Sequence, residues 1–400
     1  MSWERKALGD ISTSIQTGPF GSQLHQSDYS DEGVPVVMPK DLIQGAVSEE
    51  SIARVSKEHV ERLSKHKIKD GDILYSRRGD VGKCAFTSER EIGWICGTGC
   101  LKVSVDKDKA DPQFIFYQLQ KAETIGWVIN HAVGSTMLNL NTSILSAVPV
   151  DVPEIEIQRK IVKILSSYDE FITNNQKQIK LLEEAAQRLY KEWFVYLRFP
   201  GYEDVRIVGG VPEGWSKGTL GDVAENSGYN EKKEHRDKYS YYLPIDCLPK
   251  KSVAYTYIND ISLAESSLVA FKPNDILFGA MRPYFHKVVI ARDYGLTRST
   301  CFVIKSKEST TWSFLAMLLF SEDTINYATR ISVGTTMPYV RWKDFIQMPV
   351  LIPTEQMCIE FGKQFIPMAK KIMKLAEQNI RLTQARDRLL PKLMSGVLEV

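Results

Sequence analysis

Cysteine is scarce: there are six in 400 residues, and only Cys96 and Cys100 lie close together. That number builds no disulfide framework, and no Cys or His cluster completes a zinc set around the pair. Long apolar runs are missing as well. The most apolar segment, residues 312–320, is about half the length a membrane span needs. The opening Met1-Ser2-Trp3-Glu4-Arg5-Lys6 leads into no apolar stretch, so no signal peptide is expected and the chain is expected to be cytoplasmic, with no membrane partner. Charge of one sign is also lacking. With 51 Lys+Arg against 49 Asp+Glu the net is +2 and the pI near 8.0, short of the strongly basic balance of an isolated nucleic-acid-binding domain.

Catalytic signatures are absent too. There is no Gly-x-x-x-x-Gly-Lys-Ser/Thr loop, no dinucleotide fingerprint, no Gly-x-Ser-x-Gly elbow and no His-Glu-x-x-His. Gly93-Trp94-Ile95-Cys96-Gly97-Thr98-Gly99 is glycine-rich but opens no periodic helix, and so reads as a turn. The histidines (His25, His59, His66, His131, His235, His286) have no partner at catalytic spacing. Neither the Asn/Asp-Pro-Pro-Tyr/Phe motif of amino-methyltransferases nor the acidic-acidic-Lys pattern of common nucleases is present. The chain therefore reads as catalytically silent, with no metal site.

What is present is a duplication. Trp3 with Leu8-Gly9-Asp10-Ile11 returns as Trp215 with Leu220-Gly221-Asp222-Val223. Ile68-Lys69-Asp70-Gly71-Asp72-Ile73-Leu74-Tyr75 returns as Phe271-Lys272-Pro273-Asn274-Asp275-Ile276-Leu277-Phe278. Val133-Gly134-Ser135-Thr136-Met137 returns as Val333-Gly334-Thr335-Thr336-Met337, and Pro149-Val150-Asp151-Val152-Pro153 as Pro349-Val350-Leu351-Ile352-Pro353. Four matches in the same order make a tandem repeat of roughly 200 residues. Each copy begins with short β-branched runs, such as residues 34–37, 72–75 and 101–105, separated by Gly, Pro and Asp turns. One helical patch at 112–120 interrupts them, so an α+β domain is expected. Locally the charge is uneven. Residues 62–90 carry eight Lys/Arg against four Asp/Glu, a strip suited to meeting DNA along one face.

Each domain is followed by a long helical stripe. In the first copy it runs Ile161, Ile164, Tyr168, Ile172, Asn175, Ile179, Leu182, Ala186, Leu189, Trp193. In the second it runs Phe365, Met368, Ile372, Leu375, Asn379, Leu382, Arg386, Leu389, Leu393. Steps of three and four residues alternate, as on a coiled-coil seam. A single seam left facing water is marginal, so the two helices are expected to pair with each other as an antiparallel coiled coil. Asn175 and Asn379 are expected to set the register. Pro367 is expected to start or kink the second helix rather than sit inside it. The expected division is 1–152 and 215–352 as domains, 153–196 and 353–400 as helices, and 197–214 as a linker.

Two domains, each followed by a long helix and repeated head to tail, resemble the specificity subunits of type I restriction–modification enzymes. Pro212-Glu213-Gly214-Trp215 with Leu220-Gly221-Asp222 is similar to the family's entry into a target recognition domain. Lys69-Asp70-Gly71-Asp72-Ile73-Leu74-Tyr75-Ser76-Arg77-Arg78-Gly79 is similar to its Gly-Asp-Ile-Leu strand and basic turn. The Gly-Ser/Thr-Thr-Met runs leading to Pro-Val-x-x-Pro resemble the domain's end. Thr354-Glu355-Gln356-Met357-Cys358-Ile359 resembles the start of a spacer helix, and Glu156-Ile157-Gln158-Arg159-Lys160-Ile161 is a looser version of it. Two departures stand out. Gly279-Ala280-Met281-Arg282 replaces Ser76-Arg77-Arg78-Gly79, and residues 228–242, charged and tyrosine-rich, have no counterpart in the first copy.

The resemblance implies two tandem α/β target recognition domains that read an asymmetric, two-part sequence in double-stranded DNA. It implies partners: two methyltransferase subunits carrying S-adenosylmethionine, and restriction subunits using ATP and magnesium. No cofactor falls to this chain. Candidate DNA contacts are Lys40, Arg77, Arg78, Lys83, Arg282, Arg298 and Arg341 for phosphates or guanines. Asn139 and Asn141 are candidates for adenine edges, with Ser135, Thr136, Thr335, Thr336 and Tyr339 on the turns beside them. The 18–22 run, Gly-Pro-Phe-Gly-Ser, could wrap a phosphate or be only a tight turn. A helix of about 40 residues extends about 60 Å, enough to hold two readers about one DNA turn, ~34 Å, apart. Two other classes stay open, a standalone two-part DNA-binding regulator and the recognition part of a fused enzyme. Met1 leading straight into the first repeat speaks against the second.

Overall fold

A computed structural model describes residues 3–134 and 137–400. The chain forms two compact units, Met1–Asp169 with Gln384–Val400, and Glu170–Thr383. Each unit therefore holds one α+β domain, the start of the helix that follows it and the end of the other long helix. The division cuts across the boundaries expected at 152 and 352, because each helix end buries its apolar residues in the core of the unit it reaches.

In the first unit a four-stranded antiparallel sheet runs in the order Ser12–Thr17, Cys100–Val105, Ile73–Ser76, Cys84–Phe86. The second unit repeats that order with Ala224–Asn226, Cys301–Ser306, Ile276–Gly279, Val288–Ile290. The strand Ile73–Ser76 is buried on both faces, with Ile73 and Tyr75 in one cluster and Leu74 in another. That explains a continuous apolar run where a half-exposed strand would alternate. Ile276, Phe278 and Leu277 divide in the same way. The acidic residue before each strand staples the turn: Asp72 accepts from Lys69 N at 2.8 Å and Asp275 from Lys272 N at 2.8 Å. The helix Pro112–Leu119 starts at Asp111, whose carboxylate accepts from Gln113 N and Phe114 N, with proline in the first turn.

A second sheet distinguishes the copies. In the first unit its order is Ile95–Cys96, Val34–Val37, Ala53–Val55, Tyr29–Ser30. In the second it is Tyr229–Glu231, Leu268–Phe271, Gly295–Arg298, Tyr241–Tyr242. One parallel pair is common to both, Val36–Val37 against Ile95–Cys96 and Tyr241–Tyr242 against Gly295–Leu296. The remaining strands attach differently, so the repeat has one shared sheet and one divergent sheet.

The long helices span Ile155–Tyr190, closed by a π-helical turn Lys191–Val195, and Glu355–Met394. They pair antiparallel inside each unit. In the second unit Asn175 Nδ2 donates to Asn379 Oδ1 at 2.9 Å, and Asn379 Nδ2 to Ile172 O at 3.3 Å, with both side chains buried. A buried amide pair of this kind favours one register, because any slip leaves both amides unpaired against apolar neighbours. In the first unit Ile161 and Leu165 share a core with Leu390, Leu393 and Met394. The π turn turns both Trp193 and Phe194 inward, and the Phe194 ring lies 5.0 Å from Phe361 and 4.9 Å from Phe314. The linker is partly ordered as a hairpin, Ile207–Val208 with Val211–Pro212, and Phe199 stacks on Trp215.

Pro367 corrects an expectation, because it lies inside Glu355–Met394 rather than at its start. A mid-helix proline costs about 3 kcal/mol. Phe361, Phe365 and Ile372 are all fully buried around it, and each contributes about 2 kcal/mol, so burial outweighs the lost hydrogen bond. Among the described residues no helix is long and apolar enough to cross a membrane.

Candidate nucleic-acid interface

In each domain the basic turn after the central strand is bonded to the hairpin that carries the Gly-Ser/Thr-Thr-Met run. In the first, Arg77 N donates to Gly99 O at 2.8 Å, Leu140 N to Arg77 O at 2.8 Å, and Gly79 N to Leu138 O at 3.1 Å. Val133 and Asn139 close the hairpin with two backbone bonds, 3.0 and 2.8 Å. In the second, Ala280 N donates to Thr300 O at 2.9 Å, Val340 N to Ala280 O at 2.9 Å and Arg282 N to Pro338 O at 2.7 Å. Val333 and Tyr339 close that hairpin with bonds of 2.9 and 3.0 Å. The two networks superpose residue for residue: Arg77 on Ala280, Arg78 on Met281, Gly79 on Arg282, Asn139 on Tyr339.

That correspondence places an arginine where the first copy has glycine. Gly79 has φ 76° and Arg282 φ 50°, both in the left-handed region. A side chain there costs on the order of 1 kcal/mol. The Arg282 guanidinium donates to Thr336 O at 3.3 Å and stays half-exposed on the interface. Arg282→Gly is expected to raise the stability of its unit by about 1 kcal/mol relative to Arg282→Ala, while both variants weaken DNA binding equally. Thermal melts and titrations with duplex DNA check this. Equal melting of the two variants would show the backbone to be unstrained.

The other candidates divide by what they already touch. Arg78 is exposed at the turn, Arg298 is exposed at the end of Gly295–Arg298, and neither has an ion pair among the described residues. Arg77 is half-buried, its guanidinium 5.8 Å from the Phe20 ring centroid. Thr335 and Thr336 are exposed on the second hairpin, and Tyr339 is half-exposed beside them. Asn139 is half-buried beside Arg78. Ser135 and Thr136 lie outside the described residues.

Four candidates are held by local partners. Lys40 Nζ donates to Ser51 O at 2.6 Å, Lys83 pairs with Asp80 at 3.1 Å, and Arg341 pairs with Asp344 at 2.5 Å. Asn141 Oδ1 accepts from Ile144 N at 2.8 Å and caps the short helix Thr142–Ser146. That cap gives Asn141 a structural role and occupies one of the two lone pairs of its carbonyl. The exposed ion pairs of Lys83 and Arg341 are worth under about 1 kcal/mol and could be exchanged for a phosphate.

Sequence reasoning missed Phe20 as the ring beneath Arg77, although it had marked the run containing it. All six cysteines are buried and free. Burial pushes Cys84, Cys96 and Cys358 up to about 12 and Cys247 and Cys301 up to about 11, and Cys100 well above its ordinary value. None is a thiolate near neutral pH.

A family model described as "Type I restriction modification DNA specificity domain" matches residues 1–184. The Type I restriction enzyme MjaIX specificity subunit of Methanocaldococcus jannaschii is 24% identical over 100% of this chain and 94% of its own length. The HindI specificity subunit of Haemophilus influenzae is 22% identical over 98% of this chain and 99% of its own. Among solved structures, the type I restriction–modification S subunit from M. genitalium shares the fold, with TM-score 0.60 and 16% identity over 98% of this chain and 96% of that one. The first copy is thus matched directly by the specificity-domain model, and the whole chain aligns end to end with type I restriction–modification specificity subunits, to which it is similar throughout.

Proposed function

We propose that this chain reads an asymmetric, two-part DNA sequence and presents it to partner subunits that carry the chemistry. The carrying observation is that both domains join a turn to a hairpin by the same backbone bonds but line the junction with different side chains. Arg77, Arg78, Gly79 and Asn139 in the first correspond to Ala280, Met281, Arg282 and Tyr339 in the second. Donor and acceptor patterns in the major groove distinguish all four base pairs, so different linings select different half-sites. Arg78, Arg282 and Arg298 supply phosphate or guanine contacts, and the threonines and Tyr339 flank them. The paired helices are the spacer between the readers. Two methyltransferase subunits would bring S-adenosylmethionine, and restriction subunits ATP and magnesium, in the cytoplasm. This chain's part is recognition.

Exchange of residues 215–348 for the corresponding domain of a relative, co-expressed with methyltransferase subunits, tests the reading. Methylome sequencing is expected to find one half of the modified motif changed and the other half and the gap retained. A motif changed in both halves, or a palindromic one, contradicts it.

A further inference from the structure

Residues 228–240 have no counterpart in the first domain, and in the second they are organised around one carboxylate. Glu231 Oε2 accepts from the Tyr239 hydroxyl at 2.7 Å, and that hydroxyl lies 2.7 Å from the Tyr229 hydroxyl. Glu231 Oε1 accepts from Lys232 N at 2.9 Å and lies 2.8 Å from His235 Nδ1. Hydrogen bonds from Tyr239, the Lys232 amide and His235 hold the Glu231 carboxyl down to about 2. It is therefore a charged acceptor at every working pH. Lys233 is anchored to Glu265 at 2.8 Å, and Arg236 to Ser262 O at 3.0 Å. Lys232 and Lys238 remain exposed, with no ion pair among the described residues.

Register joins this segment to the interface. Glu231 pairs with Leu268, and Leu268 with Arg298. Neighbouring strands lie about 4.8 Å apart, so the Glu231 and Arg298 backbones are about 10 Å apart. From Arg298 the chain passes to Thr300, whose carbonyl accepts from Ala280 N beside Arg282. The segment thus rises from the same end of the domain as Arg282 and Tyr339. The first domain uses the equivalent position, after its first sheet strand, for the 18–22 run that places Phe20 under Arg77.

We propose that residues 228–240 form a DNA-contacting arm peculiar to the second domain, with Lys232 and Lys238 as phosphate ligands and Glu231 as the positioning residue that holds them. With Lys233, Arg236 and His235 anchored internally, Lys232 and Lys238 are the arm's exposed cations without an ion pair among the described residues. They stand beside the exposed Glu234 and Asp237, and four Lys/Arg against three Asp/Glu leave the segment with a small positive excess next to Arg298. A phosphodiester backbone is the partner this arrangement complements.

The inference rests on the interface above, so the test separates the two. The purified full chain is titrated with a random-sequence duplex across roughly 50–200 mM salt. Each lost phosphate contact lowers the slope of log affinity against log salt by about 0.9. Lys232→Ala with Lys238→Ala is expected to lower that slope by about two and weaken binding about tenfold. Glu231→Ala should follow it, and Glu231→Gln, which keeps an acceptor, should recover most of the binding. The reference is Arg78→Ala with Arg282→Ala. If the arginine pair lowers the slope and the lysine pair does not, the arm is overturned and the interface stands. If neither pair lowers it, the interface reading fails and the arm with it.

Discussion

Gly18→Ala is expected to destabilise the first unit by about 4 kcal/mol and to abolish reading of one half-site, while Gly21→Ala three residues on is expected to stay within about 0.5 kcal/mol of the parent. A Cβ on Gly18 would lie 1.9 Å from Gly97 O, 2.4 Å from Gly97 C and 2.7 Å from Cys96 O. These are backbone atoms and cannot turn away. Gly97 N donates to Val37 O at 2.9 Å and Cys100 N to Gly97 O at 3.0 Å, which fixes that chain. A Cβ on Gly21 would meet nothing within 4 Å. The clash must displace the 18–22 loop and withdraw Phe20 from Arg77, so the defect should appear in both denaturant unfolding and DNA selection. Identical unfolding midpoints for the two variants would disprove the close approach.

Arg386→Ala is expected to cost the first unit about 3 kcal/mol, because it strands a half-buried carboxylate. Asp169 Oδ1 lies 2.6 Å from Arg386 Nη1, and its Oδ2 accepts from the Tyr117 hydroxyl at 2.5 Å. The group joins the first long helix, the last helix and a domain helix of one unit. Burial and the Asp169 charge beside it push the Tyr117 hydroxyl well above its ordinary value, so it stays protonated and donates to Asp169. The second unit does without the charges. Residues 200 positions away are Met317, Ala369 and Ala186, all buried in one apolar core. The triple variant Tyr117→Met, Asp169→Ala, Arg386→Ala copies that set and is expected to recover most of the loss. Such recovery is the usual outcome when a whole buried ionic group is replaced by apolar residues. Denaturant unfolding of the single and triple variants decides it. A triple variant no more stable than Arg386→Ala would mean that the ion pair itself stabilises the unit.

The duplication, the long helices and the seam asparagines were legible because each is written in local spacing. Asn175 and Asn379 interrupt otherwise apolar stripes, and a polar group inside such a stripe has few partners except its counterpart. Arg386 sat in the same stripe, but its partner Asp169 lies one residue off the first helix's seam and gave no periodic sign. Pro367 misled for the opposite reason. Helix propensity is a sum over neighbours in sequence, and it was overridden by aromatic burial against residues far along the chain. At the interface, Arg78, Arg282 and Arg298 were visible as residue types. The local engagement of Lys40, Lys83, Arg341 and Asn141 depended on a carbonyl, a carboxylate or an amide whose orientation no spacing encodes.

By itself, then, the sequence determined the repeat, the α+β character of each copy, the helix pairing and the resemblance to specificity subunits, since all of these follow from periodicity and ordered motifs. Tertiary structure alone decided that the units cut across the helices, because contact between apolar surfaces ignores chain order. It alone decided that Arg282 occupies the left-handed site of Gly79, because backbone conformation there is set by hydrogen bonds to the opposing hairpin. And it alone joined residues 228–240 to Arg298, because sheet register brings together strands that sequence keeps more than sixty positions apart.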